Sequence, residues 1–417
     1  MRYSVQIADR QEYFEIPARA AVDVMHAKAV TIASDEEELL RYSLDHPIGS
    51  SGLETLVSRD TRVCIITSDV TRPMPTARVL PSLVERLLDC GATEENITLA
   101  IALGSHRPQR PDELKAIMGD YYGRLRVVNG GSGRYVHVGK TTAGTPVDIL
   151  AEALEADVRI GLGNVEYHYF AGYSGGAKAL FPGMSTFEAI QANHSLMVNP
   201  EAHAGNINSP VRVDIEEACS RAGLDFIVNV VLDEQKRIVY CASGDYIAAH
   251  RDACHKLDEL YGVPIRQQYD IVVASQGGSP KDLNLYQTQK ALDNAKLAVR
   301  DGGTIILVGS CKEGLGQATF EKWLVESADP QEVVGRLAKR FVLGGHKAAA
   351  MAQVMLRARV LLVSDLPDSL VESCFMTPFK DVQSAVNAAL SLEPSDVSLL
   401  VMPHAGSTLP LLREHES

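Results

Sequence analysis

Short runs that are apolar at nearly every position recur at 63–67, 97–103, 158–162, 271–274, 304–308, 360–363 and 397–402. Strands buried on both faces read this way, because neither face returns to water. Between many of them lie stretches with helical spacing of apolar residues, such as 81–88 and 287–298. This alternation predicts an α/β fold with mainly parallel sheets flanked by helices and joined by right-handed crossovers. The opening segment MRYSVQIADRQEYFEIP alternates apolar and polar side chains instead, and predicts a strand pair.

A chain of 417 residues is too long for one ordinary core and suits two domains. The break falls at YGVPIRQQY, 261–269, which is polar, carries Gly and Pro, and precedes a fresh strand. An N-terminal α/β domain is therefore expected over 1–262 and a C-terminal one over 268–417. The residues after Leu412 are left unassigned, able to pack back on the first domain. With 40 basic and 53 acidic residues the net charge is −13, which argues against a nucleic-acid partner. It leaves room for a locally cationic cleft. The 7 cysteines form no CxxC pair and read as reduced core thiols of a reducing compartment. No apolar run nears the roughly 18 residues of a membrane span, and the first residues lack a signal-peptide core. The expectation is a cytoplasmic protein with no membrane partner; its oligomeric state is not legible.

Ligands in open α/β sheets collect beyond the carboxyl ends of strands, so the strand pattern becomes a guide to chemistry. Ser68-Asp69-Val70-Thr71-Arg72-Pro73 follows one run, Gly104-Ser105-His106-Arg107-Pro108 the next, and Gly163-Asn164-Val165-Glu166-Tyr167-His168 a third. The densest stretch is 164–194. In it Gly175 and Gly176 allow close approach of backbone N–H groups to an anion, Ser174 adds a hydroxyl, and Lys178 adds a charge or an amine nucleophile. The spacing is not that of a phosphate-binding Walker loop. A tight turn with a solvated lysine explains the same residues equally well. His194 follows a helix expected over 185–191, and a lone histidine is more often a hydrogen-bonded structural residue than a metal ligand. With His106 and His168 also at strand ends, the three histidines together favour chemistry. None of them fits a zinc motif, so a metal here needs ligands from outside the protein.

Taken in order, these pieces resemble the lactate racemase family, whose members use a nickel-pincer nucleotide. The matching segments are Asp69-Val70-Thr71-Arg72-Pro73, Gly104-Ser105-His106-Arg107-Pro108, Glu166 to Lys178, Ala192-Asn193-His194-Ser195, and Tyr286-Gln287-Thr288-Gln289-Lys290. The resemblance spans nearly the whole chain. It implies a cofactor, pyridinium-3-thioamide-5-thiocarboxylic acid mononucleotide, that holds Ni(II) through one carbon and two sulfurs. His194 matches the protein's nickel ligand, completing the square-planar set that Ni(II) favours. Lys178 matches the anchoring lysine, which some members join covalently to the cofactor; Ser174, Gly175 and Gly176 would help hold its phosphate. His106 and His168 match two acid/base histidines, a suitable residue type near neutrality. Arg72, Gln287 and Lys290 match substrate-binding positions, with Tyr286 and Asp69 beside them, Asp69 orienting either Arg72 or a histidine, and the active site is expected in the interdomain cleft.

The implied activity is racemisation or epimerisation of a 2-hydroxy acid. Hydride transfer coupled to removal of the hydroxyl proton passes through a transient 2-oxo acid and avoids building a second negative charge beside the carboxylate. Partners would be the small hydroxy acid and the proteins that make and deliver the cofactor. Lactate-specific members carry a tryptophan from the second domain near the substrate. Here the one tryptophan, Trp323, lies in helical 320–326, and the small residues of 348–353 fall nearer the matching place. A longer or bulkier acid is thereby admitted. His346 and Lys347 form a further polar pair near that region. Two competing readings are a Schiff-base lyase or aldolase working through Lys178, and a non-catalytic nickel-nucleotide binding protein.

Overall fold

The structure is a computed structural model that describes residues 1–26, 35–233, 235–393 and 396–412. The chain divides into two compact units, Val30–Leu260 and Met1–Ala29 with Tyr261–Ser417. Each is an α/β layer fold around its own apolar core.

The central unit carries a sheet of six strands in the order Ile238–Gly244, Phe226–Leu232, Val158–Asn164, Val63–Ser68, Ile97–Ala102, Arg126–Asn129. Neighbours run parallel except the edge strand Ile238–Gly244, which is antiparallel to Phe226–Leu232. Val63, Ile65, Leu99, Ile160, Val228 and Val230 face one core cluster. Ile66, Ala100 and Ile227, pointing the other way, are equally closed to solvent. Burial on both faces is what the uninterrupted apolar runs require.

The second unit has its own six-stranded sheet, Thr377–Phe379, Arg359–Val363, Val299–Val308, Tyr269–Ser275, Ser398–Met402, Ala21–Val24, parallel throughout. The chain does divide at Tyr261, but the expected N-terminal domain of 1–262 loses its first residues, which fall with the C-terminal ones. The predicted strand pair forms, as Arg2–Ile7 against Arg10–Glu15, but it belongs with the C-terminal residues. Val5, Ile7, Phe14 and Ile16 enter that unit's core. Ala8 N–H donates to Asp282 and Ser275 Oγ donates to the Gln6 carbonyl. An alternating ribbon has only one apolar face to bury, and it buries it on a surface distant in sequence.

The junction also differs from a plain linker, because Gly262–Ile265 is a strand paired with Leu409–Leu412. Residues beyond Leu412 lie outside the described set. The helix expected over 185–191 is Phe187–Ser195, capped by the Thr186 hydroxyl accepting from Ala189 N–H, so His194 stands in its last turn.

Candidate active site

From Val63–Ser68 the chain moves outward through Ile97–Ala102 to Arg126–Asn129, then returns to lay Val158–Asn164 on the opposite side. That reversal is a topological switch point, beyond whose carboxyl ends a crevice opens. A cavity of about 190 Å³ occupies it, lined among others by Asp69, Arg72, His106, His168, Lys178 and His194. Residues far apart in sequence meet there because each follows or packs against a strand end.

His106 sits in the turn after Ile97–Ala102, where Gly104 N–H donates to the Gly183 carbonyl. Its Nδ1 lies 2.5 Å from Oδ2 of buried Asp69. The other oxygen of Asp69 accepts from the Thr71 N–H at 2.9 Å and the Thr71 hydroxyl at 2.5 Å. Burial pushes the Asp69 carboxyl up, but the bonds from Thr71 and His106 outweigh it and hold it below the usual range. An ionised Asp69 draws the imidazole proton onto Nδ1 and leaves Nε2 as the basic nitrogen. Asp69 is thus engaged with His106 and Thr71, orienting a histidine rather than Arg72, while it also lines the cavity.

His168 differs. Its Nδ1 accepts from Ala171 N–H at 3.3 Å, so the neutral ring carries its proton on Nε2. Burial first, then the charges of Lys178 and Arg72, push its pKa well below the ordinary histidine value. Lys178 is treated likewise: burial, then Arg212 and Arg72, drive its pKa far down, while Glu166 opposes. Its amine makes no hydrogen bond or ion pair among the described residues and stands 6.0 Å from the Phe170 ring centroid. Arg72 is exposed at the cavity, its guanidinium without an acidic partner among the described residues.

His194 packs edge-on against Phe170 at 5.0 Å, and its Nδ1 lies 3.1 Å from Asn193 Oδ1. The Asn193 amide is fixed: its Nδ2 donates to the Val211 carbonyl at 3.1 Å and to Asp214 at 2.8 Å. Turning the amide over would face its oxygen toward two acceptors. Asn193 therefore accepts, His194 Nδ1 donates, and the lone pair resides on Nε2, the arrangement of a metal-binding imidazole.

The loop before Lys178 departs from the expected phosphate cradle. Ser174 spends its proton on the Asn164 carbonyl at 2.6 Å and accepts from Glu166 N–H at 2.9 Å. Gly176 N–H donates to Asn229 at 2.8 Å. Gly176 adopts φ +60°, and a Cβ there would lie 2.7 Å from the His250 ring, so glycine is needed for packing. Of the loop, Ser174, Gly175 and Lys178 line the cavity and Gly176 does not.

Sequence reasoning missed the residues beneath this loop. Arg212, fully buried, donates to the carbonyls of Tyr173 and Gly175. His250 Nε2 lies 2.8 Å from the Ser174 carbonyl. Their partners are backbone atoms, which leave no sequence pattern; an arginine inside the apolar face of helix Pro210–Ala222 is the nearest thing to a signal.

Tyr286, Gln287 and Lys290 lie on the other unit, in the first turns of helix Leu285–Ala295, where the Asn284 side chain accepts from Gln287 N–H. Gln287 and Lys290 are exposed. Lys347 Nζ donates to the Tyr286 carbonyl at 3.0 Å and sits 4.1 Å over its ring. Ala348, Ala349 and Ala350 are closed off inside helix Gly345–Met355, so they do not form an exposed wall of small residues. Trp323 packs where a Cβ on Gly345 would stand.

Family models for the lactate racemase N-terminal and C-terminal domains match residues 7–205 and 265–409. A lactate racemase of Thermoanaerobacterium thermosaccharolyticum is 32% identical over 410 residues, covering 95% of this chain and 96% of the relative. One from Lactiplantibacillus plantarum is 34% identical over 380 residues, covering 88% and 89%. The solved apoprotein of the former superposes with TM-score 0.82 at 31% identity over 99% of this chain and 100% of that one. A Thermotoga maritima protein shares the fold, with TM-score 0.57 and 20% identity over 90% and 98%.

Proposed function

The chain belongs to the lactate racemase family of isomerases, and from that premise we propose that it inverts the α-carbon of a 2-hydroxy acid, with lactate the first substrate to test. The observation that carries the reading is the pair of unlike histidines, His106 held by Asp69 and His168 held by Ala171, beside Lys178 and His194 at one cavity.

The residues fit the nickel-pincer nucleotide. Among the described residues no group of three or more His, Cys, Asp or Glu is placed to hold a metal. A metal at His194 would therefore take its remaining donors from the bound group, as a pincer ligand provides. The Lys178 amine, whose pKa burial drives down, suits contact or acylation, and Asn164 at the cavity keeps a buried Oδ1 with no hydrogen-bond partner among the described residues. When bound, the cofactor supplies a hydride acceptor. His106 Nε2 takes the substrate hydroxyl proton as hydride leaves carbon, and Asp69 steadies the imidazolium that results. His168 Nε2–H meets the substrate oxygen from its own side as a donor. To act as the base for the opposite enantiomer it must exchange tautomer, giving up the 3.3 Å contact from Ala171. Arg72 offers a bidentate fork to the carboxylate. Gln287, Lys290 and Tyr286 are assigned to the substrate on the strength of the family match.

Offering cofactor-loaded protein single enantiomers of lactate and of longer hydroxy acids, and following chiral composition, tests the reading. Inversion of at least one acid is expected; none across the panel would sink it. A Schiff-base route would instead leave a borohydride-trapped carbonyl adduct on Lys178.

A further inference from the structure

We propose that Arg212 is the positioning residue for Lys178, fixing the turn that presents the amine to the cavity and keeping a permanent positive charge behind it. The inference rests on the reading of Lys178 as the cofactor's anchor. The Gly175 carbonyl accepts from Arg212 Nη1 at 3.1 Å and also from the Lys178 backbone N–H at 3.3 Å. One oxygen thus ties the buried guanidinium to the start of the turn Gly176–Ala179 that carries the lysine. The second arm of Arg212 holds the Tyr173 carbonyl, and His250 holds the Ser174 carbonyl between them. Three consecutive carbonyls are thereby drawn inward, and Gly176 N–H is drawn to Asn229.

A guanidinium this buried is costly to desolvate. Its Nε has no hydrogen-bond partner among the described residues, and helix neighbour Glu216 supplies charge without a hydrogen bond between them. A neutral donor would satisfy the same carbonyls at less cost, so the charge itself needs a purpose. The charged and titratable groups that act on the Lys178 amine are Arg212, Arg72, Glu166, His168 and His250. Of the two cations, only Arg212 is closed off from solvent, and a buried charge is little screened by salt.

The test uses full-length protein without cofactor, so it stands apart from whether the protein racemises anything. Reductive methylation with formaldehyde at pH 7, read by peptide mass mapping, reports the reactivity of Lys178 against exposed Lys281 as internal standard. In the parent protein Lys178 should methylate faster than Lys281. In Arg212→Gln that ratio should fall at least fivefold, and hydrogen exchange over 176–179 should accelerate. Arg212→Lys keeps the charge without the fork, and should recover the methylation ratio while leaving exchange fast. If Arg212→Gln fails to fold, the lysine variant alone decides, since protected exchange there removes the positioning role. A folded glutamine variant with the parent methylation ratio would overturn the proposal.

Discussion

Replacing Asp69 with asparagine changes one buried atom and should reverse the tautomer of His106. The Thr71 N–H and hydroxyl both donate to Asp69 Oδ1. An asparagine oxygen must stay there, because turning it away forfeits both bonds, at about 1 kcal/mol each, and sets N–H against N–H. The asparagine NH₂ then faces His106 Nδ1 across the position now spanned by a 2.5 Å bond. Nδ1 becomes an acceptor, the proton moves to Nε2, and the nitrogen expected to take the substrate proton is no longer basic. Loss of a general base with its orienting carboxylate lowers turnover by ~10²–10⁴-fold. Because the two enantiomers have equal energy, kcat/KM must fall equally in both directions. The assay is chiral chromatography of the holoenzyme from each enantiomer, with nickel content measured alongside. A variant that keeps its nickel and turns over within tenfold of the parent would refute the assigned role of Asp69 and, with it, of His106 as a base.

Other outcomes follow from the same geometry. His194→Ala should fold normally and lose nickel on metal analysis, while His106→Ala should keep nickel and lose turnover. Gly176→Ala puts a Cβ against the His250 ring at φ +60°, and should cost about 1–3 kcal/mol of stability in denaturant titration; no measurable loss would contradict the packing described. His346 is buried and its pKa is pushed down to about 4, by burial first and the Lys347 charge next. The unfolded chain binds that proton below about pH 6.5 while the folded one resists it, so stability falls as pH drops through this window. The loss is on the order of 3 kcal/mol, and His346→Asn should flatten the pH dependence in denaturant melts.

The parallel sheets were legible because strands buried on both faces write continuous apolar runs. Phe226–Leu232 was harder, since Asn229 interrupts its run; that same asparagine holds Gly176. The N-terminal ribbon announced itself as strands but not its destination, because alternation specifies a buried face and not the surface that buries it. At the site, His106 and His168 stood out as chemical residue types at strand ends, Lys178 in a glycine-rich loop and His194 at the end of a helix. The partner of His106 was weighed as one of two roles for Asp69, and distance decided it. Arg212 and His250 stayed hidden because they act on backbone carbonyls. Ser174 and Gly176 were read for their chemistry, whereas their hydrogen atoms are committed within the fold.

Hydride chemistry leaves a mark that proton abstraction does not. Cofactor-loaded protein given one enantiomer of an accepted 2-hydroxy acid in D₂O should yield the other enantiomer with the original hydrogen still on the α-carbon. Inversion accompanied by full deuterium incorporation at that carbon would contradict the account.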